Sequence, residues 1–340
     1  MQFGIDIVSD VHLDVAGQWW QAAERGGLDV IGVPDSPMVC REPFVSVAHC
    51  LSITSSATAM IAVSNPISRD VSVTAASLAT LAEIGPGRVA YGIGSGDSAL
   101  WGVGLRPAKV ETLRQYILAL KKLLGGETAS YRGRTMASTW ATADVPVYVA
   151  CSGTKTLRMA SEVADGLILA MGYSDENLVH VHDTIADAAA ATDRDPADLD
   201  IWWHCSLGFA PSVEEGLAAN LGVNPGWLTK ATMDGKQIPD EVRPALTELT
   251  SDFLRVDTEY TTENRGAHLV QRAIDLGIYD WLAGRAPGLW GPPAHIVDRL
   301  AAFDRAGMSN WLFYGGGADI DRAAWIEVFS TEVIPALATR

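Results

Sequence analysis

The chain has 340 residues, of which 48% are hydrophobic, and this is enough to bury one large core. Acidic residues number 41 against 25 basic residues, which gives a formal net charge of -16. A charge of this sign repels nucleic-acid phosphates and anionic membrane surfaces, so neither is expected as a partner.

Short apolar runs alternate with longer amphipathic segments along most of the chain, which is typical of parallel βα units. Eight strands with interleaved helices favour a closed barrel over an open doubly wound sheet. We therefore predict an α/β fold, a single (β/α)₈ TIM barrel that spans residues 1–340. The predicted strands, in chain order, are Phe3–Val8, Val30–Val33, Ala59–Val63, Val89–Ile93, Val147–Ala150, Gly166–Ala170, Ile201–Phe209 and Asn310–Tyr314. The predicted helices are Val15–Arg25, Phe44–Thr54, Val71–Glu83, Pro107–Leu124, Thr156–Val163, Glu176–Thr192 and a last one near Ala323–Leu337.

The regular spacing breaks between about residues 211 and 290. Pro225, Gly226, Gly235 and Pro239 interrupt helical patterns in this segment. The run WGPPAHIVDRLAAFDRAG, which starts at Trp290, restores the final unit. The sequence therefore predicts an insertion after strand seven, at approximately residues 211–290.

The C-terminal ends of barrel strands carry the active residues of such folds, so the loops that follow the strands are the candidates. Strand two is followed by Asp35 and Ser36, where the carboxylate either serves the site or caps the next turn. Strand three leads into Ser64, Asn65 and an Asn-Pro turn, followed by Arg69. An ordinary turn explains that loop equally well when it is taken alone.

Strand four runs into Gly94, Ser95, Gly96 and Asp97. Glycines let the backbone approach a planar or phosphorylated ligand closely, and the carboxylate of Asp97 could exchange a proton at the mouth. The glycines fit a loose dinucleotide fingerprint, but no acidic residue follows at the distance that a ribose ligand requires. We predict a ligand-contacting loop with Asp97 as an acid or base.

Strand five ends in Cys151, Ser152, Gly153 and Thr154, directly before a predicted helix. Free N–H groups at a helix N-terminus bind anions well, which predicts a phosphate site; a simple helix cap is the alternative. Strand six ends in an apolar segment, and its Met171 and Gly172 are predicted to line the site or the core.

Two histidines lie near strand ends: His12 after strand one and, less favoured as a site residue, His204 within strand seven. His12 and Ser36 are further catalytic candidates. No histidine or carboxylate spacing indicates a metal site, and the central position of a serine-hydrolase elbow is occupied by Gly94. The four cysteines lie far apart and are expected to be buried, reduced thiols.

The chain begins without a basic segment and apolar core, and no run of about 18 or more apolar residues occurs, so a cytoplasmic location is expected. The polar and glycine-rich strand ends instead point to a small-molecule substrate.

Taken together, these loops resemble the luciferase-like monooxygenase superfamily, in its branch of F420-dependent methylenetetrahydromethanopterin reductases. The most specific match is YGIGSGDSALWGVGLRPAKVETLRQYILALKKLLGGE, from Tyr91 to Glu127. Other matching runs are VPDSP, AVSNPISRD, VYVACSGTKTLRMASEVADGLIL and WGPPAHIVDRL. Together the matches cover nearly the whole chain.

The resemblance implies a TIM barrel, the deazaflavin F420 as cofactor and a homodimer. It implies a cis peptide bond at Ala62-Val63 against the deazaflavin ring, with Asp35 also contacting the ring. It also implies phosphate-binding amides at Ser152, Gly153 and Thr154. The related sugar-phosphate dehydrogenases have a histidine where this chain has Ser36 and a glutamate where it has Asp97, which disfavours alcohol oxidation by that route.

The resemblance therefore implies hydride transfer between C5 of the deazaflavin and a small, unsaturated or imine-like substrate, with Asp97 as the proton source. Two alternatives remain. One is an FMN-dependent two-component monooxygenase on the same barrel, and the other is a non-catalytic flavin-binding barrel.

Overall fold

A computed structural model of the chain describes residues 1–101, 103–219, 226–229, 233–251, 267–314 and 321–340. Eight parallel strands close into a barrel and pair in chain order around the ring, which confirms the predicted (β/α)₈ fold. The eight barrel strands are β1, β2, β3, β4, β7, β8, β9 and β12. The described strands are β1 (Gln2–Asp6), β2 (Val30–Val33), β3 (Thr58–Ser64), β4 (Val89–Ile93), β5 (Ala129–Tyr131), β6 (Arg134–Met136), β7 (Val147–Cys151), β8 (Gly166–Leu169), β9 (Asp200–Ser206), β10 (Gly208–Phe209), β11 (Trp290–Gly291) and β12 (Asn310–Tyr314).

The helices cover the outside of the barrel, as the amphipathic segments predict. A 3₁₀ turn lies at Pro196–Asp198, and a π-helical turn at Phe329–Val333. The described helices are α1 (Leu13–Arg25), α2 (Pro43–Ile53), α3 (Val71–Ile84), α4 (Ser98–Trp101), α5 (Val110–Leu124), α6 (Thr154–Val163), α7 (Asp175–Thr192), α8 (Val213–Ala219), α9 (Gly226–Thr229), α10 (Arg243–Leu249), α11 (Ala267–Asp275), α12 (Tyr279–Arg285), α13 (Pro293–Arg305), α14 (Arg322–Val328) and α15 (Ile334–Ala338).

The strand predicted as Ile201–Phe209 is wrong at its C-terminal end. Its first part, β9, continues the barrel, whereas β10 leaves the barrel and pairs with β11. The indole ring of Trp290 packs directly on Gly208, where a Cβ atom would lie 2.3 Å from the ring. A glycine is therefore required where the two short strands meet.

The other differences are local. Strand β1 ends at Asp6 rather than at the predicted Val8. The last predicted helix is interrupted by the π-helical turn, next to Pro335, whose missing N–H group cannot continue the regular hydrogen-bond pattern. The β5–β6 hairpin and the four-residue helix α4 are absent from the prediction, because such short elements give no periodic signal.

The barrel has an outer and an inner hydrophobic layer, because alternate strand residues point in opposite directions. Outward-facing residues such as Ile5, Ile31 and Ile61 join helix side chains in one large cluster. The inner cluster consists of Val30, Met60, Ala62, Ala90, Tyr148, Ile168, Trp202 and Leu312.

A polar network closes the N-terminal end of the barrel. The Asp200 carboxylate accepts hydrogen bonds from the Tyr148 hydroxyl at 2.7 Å, the Trp202 indole at 2.8 Å and the Asn310 amide at 3.1 Å. Filled and hydrogen-bonded at this end, the barrel offers room for a ligand only at its C-terminal end.

The described part of the predicted insertion has a hydrophobic core of its own, formed by Leu228, Ile238, Val242, Leu246, Leu249, Leu269, Ala273, Ile278 and Leu282. Pro225 and the ranges 220–225, 230–232 and 252–266 lie outside the described residues. The insertion and its boundaries therefore stay a prediction.

All four cysteines are buried and none forms a disulfide, as predicted. None of the described helices is both long enough and apolar enough to span a membrane.

Candidate active site

The C-terminal ends of the barrel strands surround a hollow lined by small residues. A Cβ atom at Gly32 would lie 3.2 Å from the Cβ atom of Ala62. One at Gly94 would lie 3.5 Å from a methyl of Val63 and 3.6 Å from the Cβ atom of Ala150. Val63 and Ala150 point inward and are still only half-buried. Gly32 is thus packed tightly against Asp6 and Ala62, whereas at Gly94 a methyl group would meet only ordinary van der Waals contacts. The inward-pointing, half-buried Val63 and Ala150 mark the side of the mouth that solvent reaches.

The peptide bond between Ala62 and Val63 is cis, which confirms the prediction for this step. It lies near the C-terminal end of β3, where the register against β4 shifts between Ile61 and Ser64. A Cβ atom at Gly92 on β4 would lie 2.6 Å from the carbonyl oxygen of Ile61 and 2.8 Å from a methyl of Val63. The glycine therefore lets β4 approach this step closely.

The Asp35 carboxylate lies beside this step, and side chains of the protein already hydrogen-bond to both of its oxygens. Arg69 binds both of its oxygens, with Nε 2.8 Å from Oδ2 and Nη2 3.2 Å from Oδ1. The Ser64 hydroxyl donates a further hydrogen bond to Oδ2 at 2.5 Å. The side chain of Asp35 is fully buried, so it positions Arg69 and Ser64 in the loop.

Asn65 organises the loop after β3. Its Oδ1 atom accepts hydrogen bonds from the amides of Ile67 at 3.0 Å and Ser68 at 2.9 Å, as in an Asx turn. Its buried Nδ2 atom has no hydrogen-bond partner among the described residues. That amide is therefore a donor with unused capacity next to the hollow.

The strand-four loop turns sharply at Gly96, whose φ of +100° is open to glycine but strained for other residues. Leu100 packs against Gly96, and the Ser95 carbonyl accepts a hydrogen bond from the Ala108 amide at 2.7 Å. Asp97 is exposed at the start of α4, and its carbonyl accepts from the amides of Leu100 and Trp101. Asp97 thus lies exposed directly after Gly96, and its predicted role as an acid or base stays a prediction.

The strand-five loop leads into α6 as predicted, but the insertion already uses part of it. The Thr154 amide and hydroxyl both donate to the Gly235 carbonyl, at 3.2 Å and 2.8 Å. The hydroxyl also lies 2.8 Å from Nε2 of His180. Gly153 is the N-cap of α6, preceded by Ser152, and both are half-buried. Ser152 and Gly153 lie at the start of α6, next to buried Cys151, and their anion-binding role stays a prediction.

The Met171–Gly172 segment is tied to the insertion. The Arg285 guanidinium donates to the carbonyls of Met171 at 3.1 Å and Lys236 at 3.0 Å. Gly172 has a φ of +97° and lies against the Asn177 side chain. This segment is therefore fixed by hydrogen bonds that join β8 to the insertion.

The other two predicted catalytic residues have local roles. His12 caps α1, with Nδ1 accepting from the Asp14 amide at 3.3 Å, and its side chain is 75% exposed. Ser36 is buried, and its carbonyl accepts from the Val39 and Cys40 amides in a turn. Neither contact tests a catalytic role, which stays a prediction for both.

Inside the hollow, Asp6 of β1 and His204 of β9 form a pair. Asp6 Oδ2 lies 3.9 Å from Nε2 of His204. Asp6 is 5% exposed, and its Oδ1 atom has no hydrogen-bond partner among the described residues. Burial raises the pKa of the Asp6 carboxyl, although the nearby His204 acts in the opposite direction.

With the geometry established, comparison with known proteins decides the family. The family model described as luciferase-like monooxygenase matches residues 1–310. The chain belongs to the luciferase-like monooxygenase family. This confirms the resemblance drawn from the loop sequences.

Individual relatives of this luciferase-like chain carry more specific names. A 5,10-methylenetetrahydromethanopterin reductase of Methanolobus tindarius is 30% identical over 211 residues, which cover 59% of this chain and 63% of the relative. An F420-dependent glucose-6-phosphate dehydrogenase of Beutenbergia cavernae is 28% identical over 280 residues, covering 79% of this chain and 74% of the relative. The match thus spans under two thirds of the first relative's own length.

Among solved structures, a coenzyme F420 dependent tetrahydromethanopterin reductase from Methanopyrus kandleri superposes with a TM-score of 0.73. The sequence identity is 21%, and the superposition covers 99% of each chain. At this identity the likeness concerns the fold, a luciferase-like barrel over its whole length.

Sequence reasoning did not predict the Asp6–His204 pair, and it favoured His12 over His204 as a site residue. A signal was present, because Asp6 is the one charged residue in the run FGIDIVS at the end of a strand. An acidic residue within a buried strand is rare unless it is paired or functional. Arg69, noted only as part of a loop, is the partner of Asp35.

Proposed function

We propose that this luciferase-like protein is an F420-dependent oxidoreductase that transfers a hydride between C5 of the deazaflavin and a small, unsaturated or imine-like organic substrate. The names of the Beutenbergia cavernae and Methanopyrus kandleri relatives support the cofactor. The observation that carries the proposal is the hollow of small residues at the Ala62-Val63 step. A flat ring needs such a surface, because any larger side chain there would occupy its volume.

The residues at the mouth fit a deazaflavin. Gly94 and Ala150 leave room beside Val63, and the unused Nδ2 donor of Asn65 can serve a carbonyl oxygen of a ring. Ala62, Val63, Ser64 and the Gly94–Gly96 loop would hold the ring. Cys151, Ser152, Gly153 and Thr154 lead into α6, where the helix N-terminus suits a phosphate, with Met171 and Gly172 alongside.

When bound, F420 supplies or accepts a hydride at C5, so the protein's own task is to orient the substrate and handle a proton. Asp35 contributes by fixing Arg69 and Ser64. The predicted proton sources Asp97, Ser36 and His12 remain proposals. Asp97 and His12 are exposed, whereas Ser36 is buried. A serine at position 36 lacks the basic nitrogen that removes a proton from an alcohol, which favours reduction of an unsaturated or imine-like bond.

The experiment is a fluorescence titration of the purified apoprotein with F420 and with FMN. We expect F420 to bind much more tightly than FMN. Gly94→Leu fills the hollow and should abolish binding. Gly284→Leu is the matched control, because a Cβ atom at Gly284 in α12 meets nothing within 4 Å.

Each alternative function predicts a different result. Equal or reversed affinities would favour the FMN-dependent monooxygenase, and lack of binding by either flavin would favour the non-catalytic barrel. Anaerobic turnover with reduced F420 separates the first two functions, because a monooxygenase requires oxygen.

A further inference from the structure

The Asp6 carboxylate lies on the inner face of the barrel, close to the Ala62-Val63 step. We call this step, where the deazaflavin ring is proposed to lie, the ring seat. A Cβ atom at Gly32 would lie 3.2 Å from the Cα atom of Asp6, 3.3 Å from its Cβ atom and 3.2 Å from the Cβ atom of Ala62. Asp6 therefore packs next to the Ala62-Val63 step. Its unpartnered Oδ1 atom marks a polar group that the described protein residues leave unsatisfied.

Asp6 differs from the nearby carboxylates Asp10 and Asp35 in that those two are each paired with an arginine. Asp10 is bound by both terminal nitrogens of Arg322, at 3.0 Å and 3.1 Å. Asp35 is bound twice by Arg69. Within the described residues, Asp6 has no arginine or lysine partner, and the side chain that faces it is the imidazole of His204.

The negative charges of all three carboxylates affect the pKa of the Cys40 thiol. Burial raises its pKa, a hydrogen bond with the Ser36 backbone lowers it, and the charges of Asp6, Asp35 and Asp10 raise it again, to about 11. These carboxylates therefore converge on one region, and arginine compensates two of them while a titratable imidazole faces the third.

His204 is both fixed in place and reachable. Its backbone is part of β9, and its carbonyl accepts a hydrogen bond from the Tyr173 hydroxyl. Its side chain is 29% exposed, and in the described parts of the chain no group hydrogen-bonds to Nδ1. Nε2 faces Asp6, and the partial exposure of the side chain lets solvent reach the imidazole. Trp290 lies nearby, with its indole nitrogen 3.4 Å from the Ser206 hydroxyl on the same strand.

We propose that His204 is the residue that exchanges the proton with the substrate, and that Asp6 positions the imidazole. This inference rests on the proposed function. In the reduction of a C=N bond, the hydride forms the new C–H bond and the π electron pair moves to nitrogen. The nitrogen then takes a proton from the His204 imidazolium, which becomes neutral imidazole. Bulk water restores that proton, and the reverse steps describe oxidation.

A purely structural role explains the pair poorly. A separation of 3.9 Å is too long for a direct hydrogen bond, and one buried carboxylate oxygen has no described partner. A buried charge in this state costs stability instead of providing it. The pair lies at the mouth of the barrel, where active sites of this fold are found. Residues of active sites often reduce stability because they are retained for their function.

The first test uses the full-length apoprotein and needs no substrate. Diethyl pyrocarbonate modifies neutral imidazole, and peptide mass spectrometry gives the rate for each histidine. Asp6→Asn removes the carboxylate that faces Nε2 of His204, so at about pH 6 His204 should react about tenfold faster in the variant. Exposed His182 on α7 should react equally in both proteins. The thermal midpoint of Asp6→Asn should equal or exceed that of the wild type.

The second test follows anaerobic single turnovers of reduced F420 with 2-methyl-1-pyrroline as the probe imine. His204→Gln keeps a polar group facing Asp6 but cannot exchange a proton, so kcat should fall by about 10²- to 10⁴-fold. The Kd for F420 should stay unchanged. His182→Gln is the control and should leave kcat unchanged.

Unchanged His204 reactivity in Asp6→Asn would overturn the pairing, as would a large loss of stability in that variant. Full kcat in His204→Gln would overturn its role in proton transfer. Failure of the wild type to bind F420 or to reduce the probe counts against the proposed function, and the reactivity of His204 then decides the pairing by itself.

Discussion

Arg69 holds Asp35 through both carboxylate oxygens, with Nε 2.8 Å from Oδ2 and Nη2 3.2 Å from Oδ1. The same guanidinium lies 2.6 Å from a Glu42 oxygen and 4.6 Å from the centre of the Phe44 ring. One side chain thus connects the loops after β2 and β3 with the start of α2. The loops that form the proposed ring seat depend on it.

We expect Arg69→Met to be strongly destabilising. It leaves the fully buried Asp35 side chain without its cation, and breaking a buried ion pair typically costs about 3–5 kcal/mol. Urea denaturation measures the effect. Arg114→Met is the control, because Arg114 and Glu162 form a more exposed pair at 3.8 Å, worth about 1 kcal/mol or less. Equal losses in the two variants would show that Asp35 tolerates the loss of its partner.

Glu24 should make stability depend on pH in the acid range. Burial raises the pKa of its carboxyl, but hydrogen bonds from the Ala57, Ser56 and Ser55 amides and the Ser56 hydroxyl outweigh this and lower it to about 2. A carboxyl whose pKa is depressed in the folded state contributes stability above its unfolded value, here 4.5. That contribution is lost as the pH falls from 4.5 towards about 2.

The test compares the wild type with Glu24→Gln, which keeps an acceptor but does not titrate. At pH 7 the wild type should be more stable in urea, by a modest amount because Glu24 is largely exposed to solvent. At about pH 3 the difference should shrink. Glu332→Gln changes an exposed glutamate and should show no such trend. A difference that stays constant with pH would contradict the assignment.

Gly92 on β4 and Gly94 directly after it should respond differently to a methyl group. A Cβ atom at Gly92 would lie 2.6 Å from a backbone oxygen, so Gly92→Ala must displace β3 and should lower the thermal midpoint. At Gly94 the contacts of 3.5 and 3.6 Å are ordinary van der Waals distances. Gly94→Ala should therefore fold normally but weaken F420 binding, because its methyl enters the hollow. Equal thermal midpoints would contradict the close approach at Gly92.

The loops of the site were predictable from sequence, whereas the partners of their residues were not. Asp35, Asn65 and Gly94 follow strands in a fold whose active side is known, so their location follows from the strand pattern. The bond from Asp35 to Arg69 joins residues 34 positions apart. Which cation meets a carboxylate depends on the three-dimensional path of two loops, and strand periodicity carries no information on it.

The Asp6–His204 pair illustrates the same point across the barrel. Each residue belongs to a strand whose apolar pattern predicts burial, and alternation decides which face it occupies. Only closure of the barrel brings β1 and β9 to either side of β12. Conversely, His12 follows β1 in the sequence, as a site residue would. In the structure it directly precedes α1, and its side chain caps that helix.

Asp97→Asn distinguishes the proton source at the rim from the one inside the hollow. The sequence points to Asp97, whose carbonyl starts α4 and whose side chain lies at the exposed rim. Asparagine keeps its shape, so F420 should bind normally. Because water reaches the rim and can replace an exposed acid, we expect kcat with the probe imine to fall by less than about tenfold. His204→Gln, by contrast, should lose about 10²- to 10⁴-fold, since no other described imidazole faces Asp6. The reverse order, with a large loss in Asp97→Asn and an active His204→Gln, would assign the proton to Asp97.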